Sequence, residues 1–329
     1  MFSATDISTF LASEHTATLK RAESRNEIRK PFFADPAIDL LRELGLEHER
    51  RYLRTLAANK LSIAKITSDG PWSAAIQQTI AALRKGTDVV YQGAFLDGEW
   101  GGRPDFLTRV DRPSELGDWS YEPVETKLAR STKAGALVQL CLYSELLSRI
   151  QGTEPQRMHI VLGGGAAPEK FTVQRYTAYV RKIRSEFEDA WRLESETYPE
   201  PNEHCDVCSW LPMCDKRWRD DDHLSLVAGV SRNQRKALVE RGIETVAQLG
   251  SLALPLKSKI ERIGDAELLR IREQARLQVQ GRQEGRLIYE LLEPVEPGKG
   301  LSALPLPSPP TSFWTWSPTR TCWSTARST

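Results

Sequence analysis

The sequence predicts an α/β fold, a mixed central sheet flanked by helices, with a small all-α module behind it. Three stretches carry that prediction. Asp88-Val-Val-Tyr-Gln-Gly-Ala-Phe-Leu96 is dense in strand formers, Asp97-Gly98 is a two-residue hairpin signal, and Gly102 to Val110 reads as the returning strand. Tyr121 to Lys127 forms a third strand, reached through a polar loop that holds Arg112-Pro113. Residues 132–149 then change to helical periodicity, as expected of a helix laid on the sheet.

Other elements frame this centre. Leu40, Leu44, His48, Tyr52 and Leu56 recur every fourth residue and predict an upstream helix with one apolar side. Tyr176, Tyr179, Ile183, Phe187 and Trp191 repeat at helical spacing and read as core rather than as a platform for stacked bases. Gly163-Gly-Gly165 lacks the lysine-serine of a phosphate-binding loop and reads as a turn.

Composition bounds the class. A length of 329 suggests about two domains. With 40% hydrophobic and 27% charged residues the chain can build packed cores, yet it has no run of about 18 apolar residues to span a membrane. Met1 to Leu11 lacks the basic and apolar regions of an export signal, so a cytoplasmic protein is expected. The net charge is +1, so no nucleic-acid role follows from the whole chain.

The chemistry is concentrated in about forty positions. Asp105 ends Gly102-Arg-Pro-Asp105, Glu125-Thr126-Lys127 ends the third strand, and Gln139 and Tyr143 lie four apart on the next helix, hence on one side of it. Glu125 and Lys127, two apart on a strand, point to one face. Two carboxylates supply the hard oxygens that magnesium prefers, and a lysine beside them can orient or deprotonate a water or balance charge on a phosphate. An Asp with Glu-x-Lys nearby is, taken alone, more often part of a solvated hairpin. The Gln-x3-Tyr pair, and His48 on the apolar side of its helix, shift the reading toward a metal-dependent phosphodiesterase. His48 by itself is more often a satisfied core residue.

Taken together, these motifs resemble the RecB-like nucleases of the PD-(D/E)XK superfamily, which include the CRISPR-associated RecB-type exonucleases. The matching segments are Gly45-Leu-Glu-His48-Glu, Gly102-Arg-Pro-Asp105-Phe, Val124-Glu125-Thr-Lys127 and Gln139-Leu-Cys-Leu-Tyr143, and the resemblance covers residues 1–218. It implies a restriction-endonuclease-like core and a DNA-cleaving hydrolase using Mg2+ or Mn2+. It further implies that His48, Asp105, Glu125 and the Thr126 carbonyl ligate the metal, that Lys127 is catalytic, and that Gln139 and Tyr143 position the strand. Arg130 and Lys133 would hold backbone phosphates or, equally, be solvent-exposed caps of the following helix.

Cysteine usage is the second signal. Three of five cysteines form Cys205-Asp-Val-Cys208-Ser-Trp-Leu-Pro-Met-Cys214, a spacing that suits a metal or iron-sulfur site better than disulfides. Similar nucleases complete a four-iron cluster with one N-terminal cysteine. Here Ser13 stands at that position, and His15, His204 or Cys141 are the substitutes. Cys141 lies about 200° around its helix from Gln139 and is better placed in the core. A [4Fe-4S] cluster, a zinc site and no stable metal all remain open, each with a structural role.

From Ser231 to Arg286 there are 12 Lys and Arg against 7 Asp and Glu. Leu226 to Leu238 reads as a helix, Arg241-Gly-Ile243 as a break, and a second helix starts near Thr245, similar to helix-hairpin-helix modules that contact phosphates without reading bases. DNA contact through Arg232, Arg235 and Lys236 stands beside a purely structural subdomain.

Leu301 to Thr329 holds three tryptophans and no acidic residue, and reads as a disordered tail. Phe313-Trp-Thr-Trp-Ser317 must be encoded TTY TGG ACN TGG and a serine codon. With an AGY serine, reading from the third base gives Leu, Asp, then Leu, Met or Val, then Glu. Asp-x-Glu opens RNase H-like exonucleases, and in the RecB-like proteins such a domain, often with a superfamily 1 helicase, follows directly. The expectation is therefore an N-terminal part of a longer nuclease-helicase ended by a frameshift near Pro305 to Pro310. The expected division is a nuclease domain over 1–218, a helical module over 219–290 and a linker and tail over 291–329. DNA would be the partner, as single strand or duplex ends, with the helicase or exonuclease part missing.

Overall fold

The computed structural model describes residues 1–32, 36–67, 69–165, 167–193, 197–256, 258–291, 298 and 300–305. Of the disordered tail expected over Leu301 to Thr329, residues 306–329 lie outside the described residues, and Gly300–Ala303 form a short 3-10 turn. Two compact units divide the chain, Met1–Leu226 and Val227–Thr329. Helix α7 (Leu211–Asp220) crosses the boundary expected at residue 218, and the buried Trp218 on it donates to the Pro199 carbonyl across 2.7 Å.

The first unit is a mixed α/β body. Its main sheet runs β2 (Ile63–Lys65), β3 (Val89–Tyr91), β6 (Phe106–Val110), β7 (Ser120–Lys127), β8 (Arg157–Leu162) and β9 (Glu169–Thr172). Two pairs are parallel, β2 with β3 and β7 with β8, and each is joined by a crossover helix, α4 (Trp72–Arg84) and α5 (Ala134–Gln151). The remaining neighbours are antiparallel. A second small sheet joins β1 (Phe2–Ser3), β5 (Trp100–Gly102) and β4 (Phe95–Asp97).

Strand alternation divides the core between the two faces of the main sheet. Val90, Leu107, Tyr121, Ile160 and Leu162 pack with α5 residues Leu140, Leu142 and Leu147 on one side. Val89, Phe106, Val124 and Val161 pack with Leu56 and Tyr52 of α3 (Pro36–Ala58) on the other. The third strand is therefore covered on both faces.

Helix α1 (Ala4–Ala12) is pinned against this body. Ser3 and Asp6 form a reciprocal capping box at its start, and Ile7 and Phe10 are buried. Phe2 and Phe10 meet the Phe187 ring of α6 (Gln174–Arg192) at 5.1 and 5.5 Å, edge on. Helix α2 (His15–Ser24) follows and sends Arg21 onto the Ala190 carbonyl.

Several expectations change in detail. The hairpin read from 88 to 110 is split between the two sheets: β3 and β4 are interrupted at Gln92–Ala94, and β5 and β6 at Arg103–Asp105. Gln92 adopts a left-handed backbone, φ 57°, at that break, and its amide donates to the Asp105 carbonyl at 2.8 Å. The two-residue loop is Gly98-Glu99, since Asp97 pairs with Trp100. Leu40 and Leu44 are exposed, so the apolar side of α3 begins at His48. Tyr179 is 47% exposed, while Ile183 and Phe187 are buried, so the aromatic stripe of α6 is core only in part. Gly163 permits a close crossing, because a Cβ there would lie 2.3 Å from the Leu128 carbonyl.

In the second unit, α8 (Arg232–Val239), α9 (Val246–Gly250) and α10 (Asp265–Glu284) pack around Leu238, Val246, Leu249 and Ile271. Ser231 with Gln234, and Thr245 with Gln248, cap the first two helices, and Gly242 turns the chain between them at φ 75°. Among the described residues no helix is long and apolar enough to cross a membrane.

Candidate active site

The register of β6 on β7 sets the site. Phe106 pairs with Val124 at the end of the ladder, and Asp105, the residue just before β6, is brought to the end of β7 next to Glu125 by its bonds to Thr126. Asp105 is locked through one oxygen: the Thr126 amide and hydroxyl both donate to Oδ2, at 2.8 and 2.6 Å. That arrangement leaves Oδ1 turned to other uses.

Lys127 reaches back two residues, and its Nζ donates to Glu125 Oε2 at 2.8 Å and to Gln139 Oε1 at 3.0 Å. Glu125 is buried, and burial together with the Asp105 charge pushes its carboxyl up to about 7 against the opposing pull of Lys127. For Lys127, burial acts to lower the ammonium, but Glu125, Asp105 and Glu49 outweigh it and hold it above its ordinary value. The lysine is therefore a cation at neutral pH.

Tyr143, one helical turn beyond Gln139, lies against the same strand ends. A Cβ on Gly102 would meet its ring at 2.5 Å, so glycine at 102 is what lets the tyrosine approach. Burial first, then the charges of Glu125 and Asp105, raise its hydroxyl far above the usual range.

Helix α3 contributes two neighbours. His48 is buried and its Nε2 lies 3.0 Å from the Val161 carbonyl. A carbonyl only accepts, so Nε2 carries a proton and donates to it. Val161 is the β8 residue registered against Thr126. The second neighbour, Glu49, closes the Gly45-Leu-Glu-His48-Glu segment but is given no role by it. It is buried, accepts from Gln92 Nε2 at 2.5 Å and from the Tyr91 hydroxyl, and is raised by burial and by the charge of Asp105. The signal for it was its place next to His48, since consecutive helical residues stand only about 100° apart and can both lean on one sheet.

Two carboxylates side by side, with a third in electrostatic reach, make a donor set of hard oxygens. Among the described residues no three His, Cys, Asp or Glu side chains stand close enough to hold a metal ion in common. Magnesium asks for less, one or two carboxylates with several retained waters, and Asp105 with Glu125 meet that.

A cleft of about 730 Å3 opens beside Lys127 and Gln139, walled by Lys133, Ser131 and the hydroxyl face of α1, and runs to the turn at Asn202–Val207. Lys133 and Arg130 are both exposed, but Arg130 does not line the cleft. From that turn onward Cys205, Cys208 and Cys214 line one small cavity together with Ser13, His15 and His204. Burial, then the neighbouring Cys208 and Cys205, push the Cys214 thiol up to about 11. His15 is engaged, its Nδ1 lying 2.8 Å from Thr197 Oγ1. Cys141 is in the core against Met158 Sδ at 3.7 Å, away from this group.

In the second unit, Arg232 and Lys236 are exposed on α8. Arg235 is not: it is buried and donates to the Val230 carbonyl, so its guanidinium is not presented to a phosphate backbone.

No protein-family model matches this chain, and no curated protein matches it. Among solved structures, one titled as the crystal structure of SSO0001 is similar over 62% of this chain and 96% of its own, with 16% identity and a TM-score of 0.26. At that score the likeness carries no argument.

Proposed function

We propose that this chain is a metal-dependent deoxyribonuclease that hydrolyses phosphodiester bonds, in the manner of the RecB-like nucleases its motifs resemble. The observation that carries the reading is Asp105 held by Thr126, the residue next to Glu125, with Lys127 in contact with Glu125. Magnesium or manganese would be held by Asp105 and Glu125 with retained waters and the nearby Thr126 carbonyl, while His48, a ligand by the resemblance, does not join the two carboxylates in one group among the described residues. When bound, it supplies Lewis-acid stabilisation of the phosphate and a water of lowered pKa.

The protein side of the chemistry follows from the hydrogen bonds. Asp105 offers Oδ1, because Thr126 occupies Oδ2. Lys127 has three protons, and Glu125 and Gln139 take two of them, which leaves one for a phosphoryl oxygen. As a cation the lysine steadies negative charge on the phosphate and is not the base that takes a proton from water. Tyr143, packed on Gly102 and buried in the core, seats α5 against the strand ends and is not exposed to position a substrate strand.

Two accessory roles belong to the same reading. The three-cysteine cavity would hold a structural metal, an iron-sulfur cluster foremost, although Ser13 in the fourth place is a poor donor to iron. Arg232 and Lys236 would add sequence-independent phosphate contacts. The testing experiment is manganese-dependent cleavage of single-stranded and duplex DNA by wild type, Asp105→Ala and Lys127→Ala. Cleavage by wild type alone supports the nuclease. DNA binding without cleavage in wild type would favour a non-catalytic DNA-binding fragment instead.

A further inference from the structure

A one-way chain of hydrogen bonds leaves the site through Gln139 and ends on the N-terminal helix. Lysine can only donate, so the Gln139 oxygen must face Lys127, at 3.0 Å. The amide nitrogen then faces Ser8, whose Oγ lies 3.2 Å away and must accept. Ser8 gives its own proton to the Thr5 carbonyl at 2.9 Å. Every donor in the series therefore has one direction available to it.

Helix packing makes this contact possible. Gly135 and Gln139 are four apart on α5 and share a face, and a Cβ built on Gly135 would come within 3.3 Å of Ser8 Cβ. Gly135 stands in the first turn of α5, and its missing methyl leaves room for α1 to approach so that Ser8 reaches the amide. The capping box at Ser3 and the Phe2 and Phe10 contacts hold α1 in that seat.

We propose that Ser8 is a positioning residue of the catalytic centre: it fixes the rotation of the Gln139 amide so that its oxygen, and not its nitrogen, meets Lys127. An amide turned the other way would place N–H donors against an ammonium, which neither satisfies the lysine nor keeps it aimed. α1 is thus part of the active site although it bears no acid or base of the reaction. The proposal rests on the nuclease reading for its kinetic consequence but not for its geometry.

The test uses the full chain and four variants: Ser8→Ala, Gln139→Ala, the double variant Ser8→Ala with Gln139→Ala, and Gly135→Ala. In manganese-dependent cleavage, Ser8→Ala is expected to lower kcat about ten-fold at unchanged KM and unchanged melting temperature, and to have no further effect once Gln139 is alanine. Gly135→Ala, whose methyl would crowd Ser8 Cβ at 3.3 Å, is expected to lower kcat in the same direction. Ser8→Ala with wild-type kcat, or with an undiminished effect in the Gln139→Ala background, overturns the proposal. If wild type cleaves nothing, the nuclease reading fails by itself. The positioning relation is then decided by the rate at which a water-soluble acylating reagent modifies Lys127, mapped by mass spectrometry. A rise of three-fold or more in Ser8→Ala supports it, and equal rates overturn it.

Discussion

Gln92 donates to Glu49 across 2.5 Å from a backbone held in the left-handed region, φ 57°. A non-glycine residue in that region is strained by about 1–3 kcal/mol and persists where surrounding structure demands it. Here the demand is double, because the same residue's amide ties down the Asp105 carbonyl. The contact recruits Glu49 as a third carboxylate beside the two that the motifs reveal. Glu49→Gln is expected to raise the manganese concentration for half-maximal cleavage about ten-fold, the order found for groups that orient metal ligands. A metal titration of the cleavage rate checks it. An unchanged midpoint removes Glu49 from the site.

Stability without metal should depend on pH in a direction opposite to that of ordinary salt-bridged acids. Glu125 is pushed up to about 7 and Glu49 is also raised, so the folded protein binds protons that the unfolded chain has released. Their contribution is complete below the unfolded value near 4.5 and is lost as pH rises through about 7. In the presence of a chelator the melting temperature is expected to fall from pH 5.5 to pH 8. Manganese at pH 8 should restore it, and Asp105→Asn, which removes a repelling charge, should flatten the slope. A chelated protein that melts higher at pH 8 contradicts this.

Gly102→Ala places a methyl 2.5 Å from the Tyr143 ring. Such overpacking costs about 1–3 kcal/mol, enough to lower the melting temperature by several degrees. In a Tyr143→Ala background the same change is expected to cost nothing. A thermal melt of the four proteins reads the coupling directly.

Ser13 shares a cavity with Cys205, Cys208 and Cys214. Ser13→Cys is expected to raise the iron and sulfide content of anaerobically purified protein and to slow bleaching of its brown colour in air. Elemental analysis gives the answer. Zinc in place of iron in both proteins would redirect the assignment, and no metal in either would make the segment a purely packed one.

Much of the site was legible because strands report themselves through alternation. Glu125 and Lys127 two apart, and Gln139 and Tyr143 four apart, could be placed on common faces before any geometry was known. Asp105 next to Glu125 needed the register, which the hairpin pattern only approximated, because the chain steps between two sheets at Gln92 and Arg103. Glu49 and Ser8 were not legible. The first lies beside a residue already explained as part of an apolar ladder, and the second reaches Gln139 from 131 positions away in sequence. Arg235 shows the converse: a basic residue in a basic helix that the module turns inward.

The most direct test of the central claim is the single-turnover rate of manganese-dependent cleavage of an end-labelled DNA strand by wild type and Lys127→Ala, both shown to be folded by their melting temperatures. Measurable cleavage by wild type, abolished by chelation and lowered at least a hundred-fold in Lys127→Ala, is the predicted result. Cleavage that is equal in the two proteins, or that persists without metal, would contradict the assignment of this site.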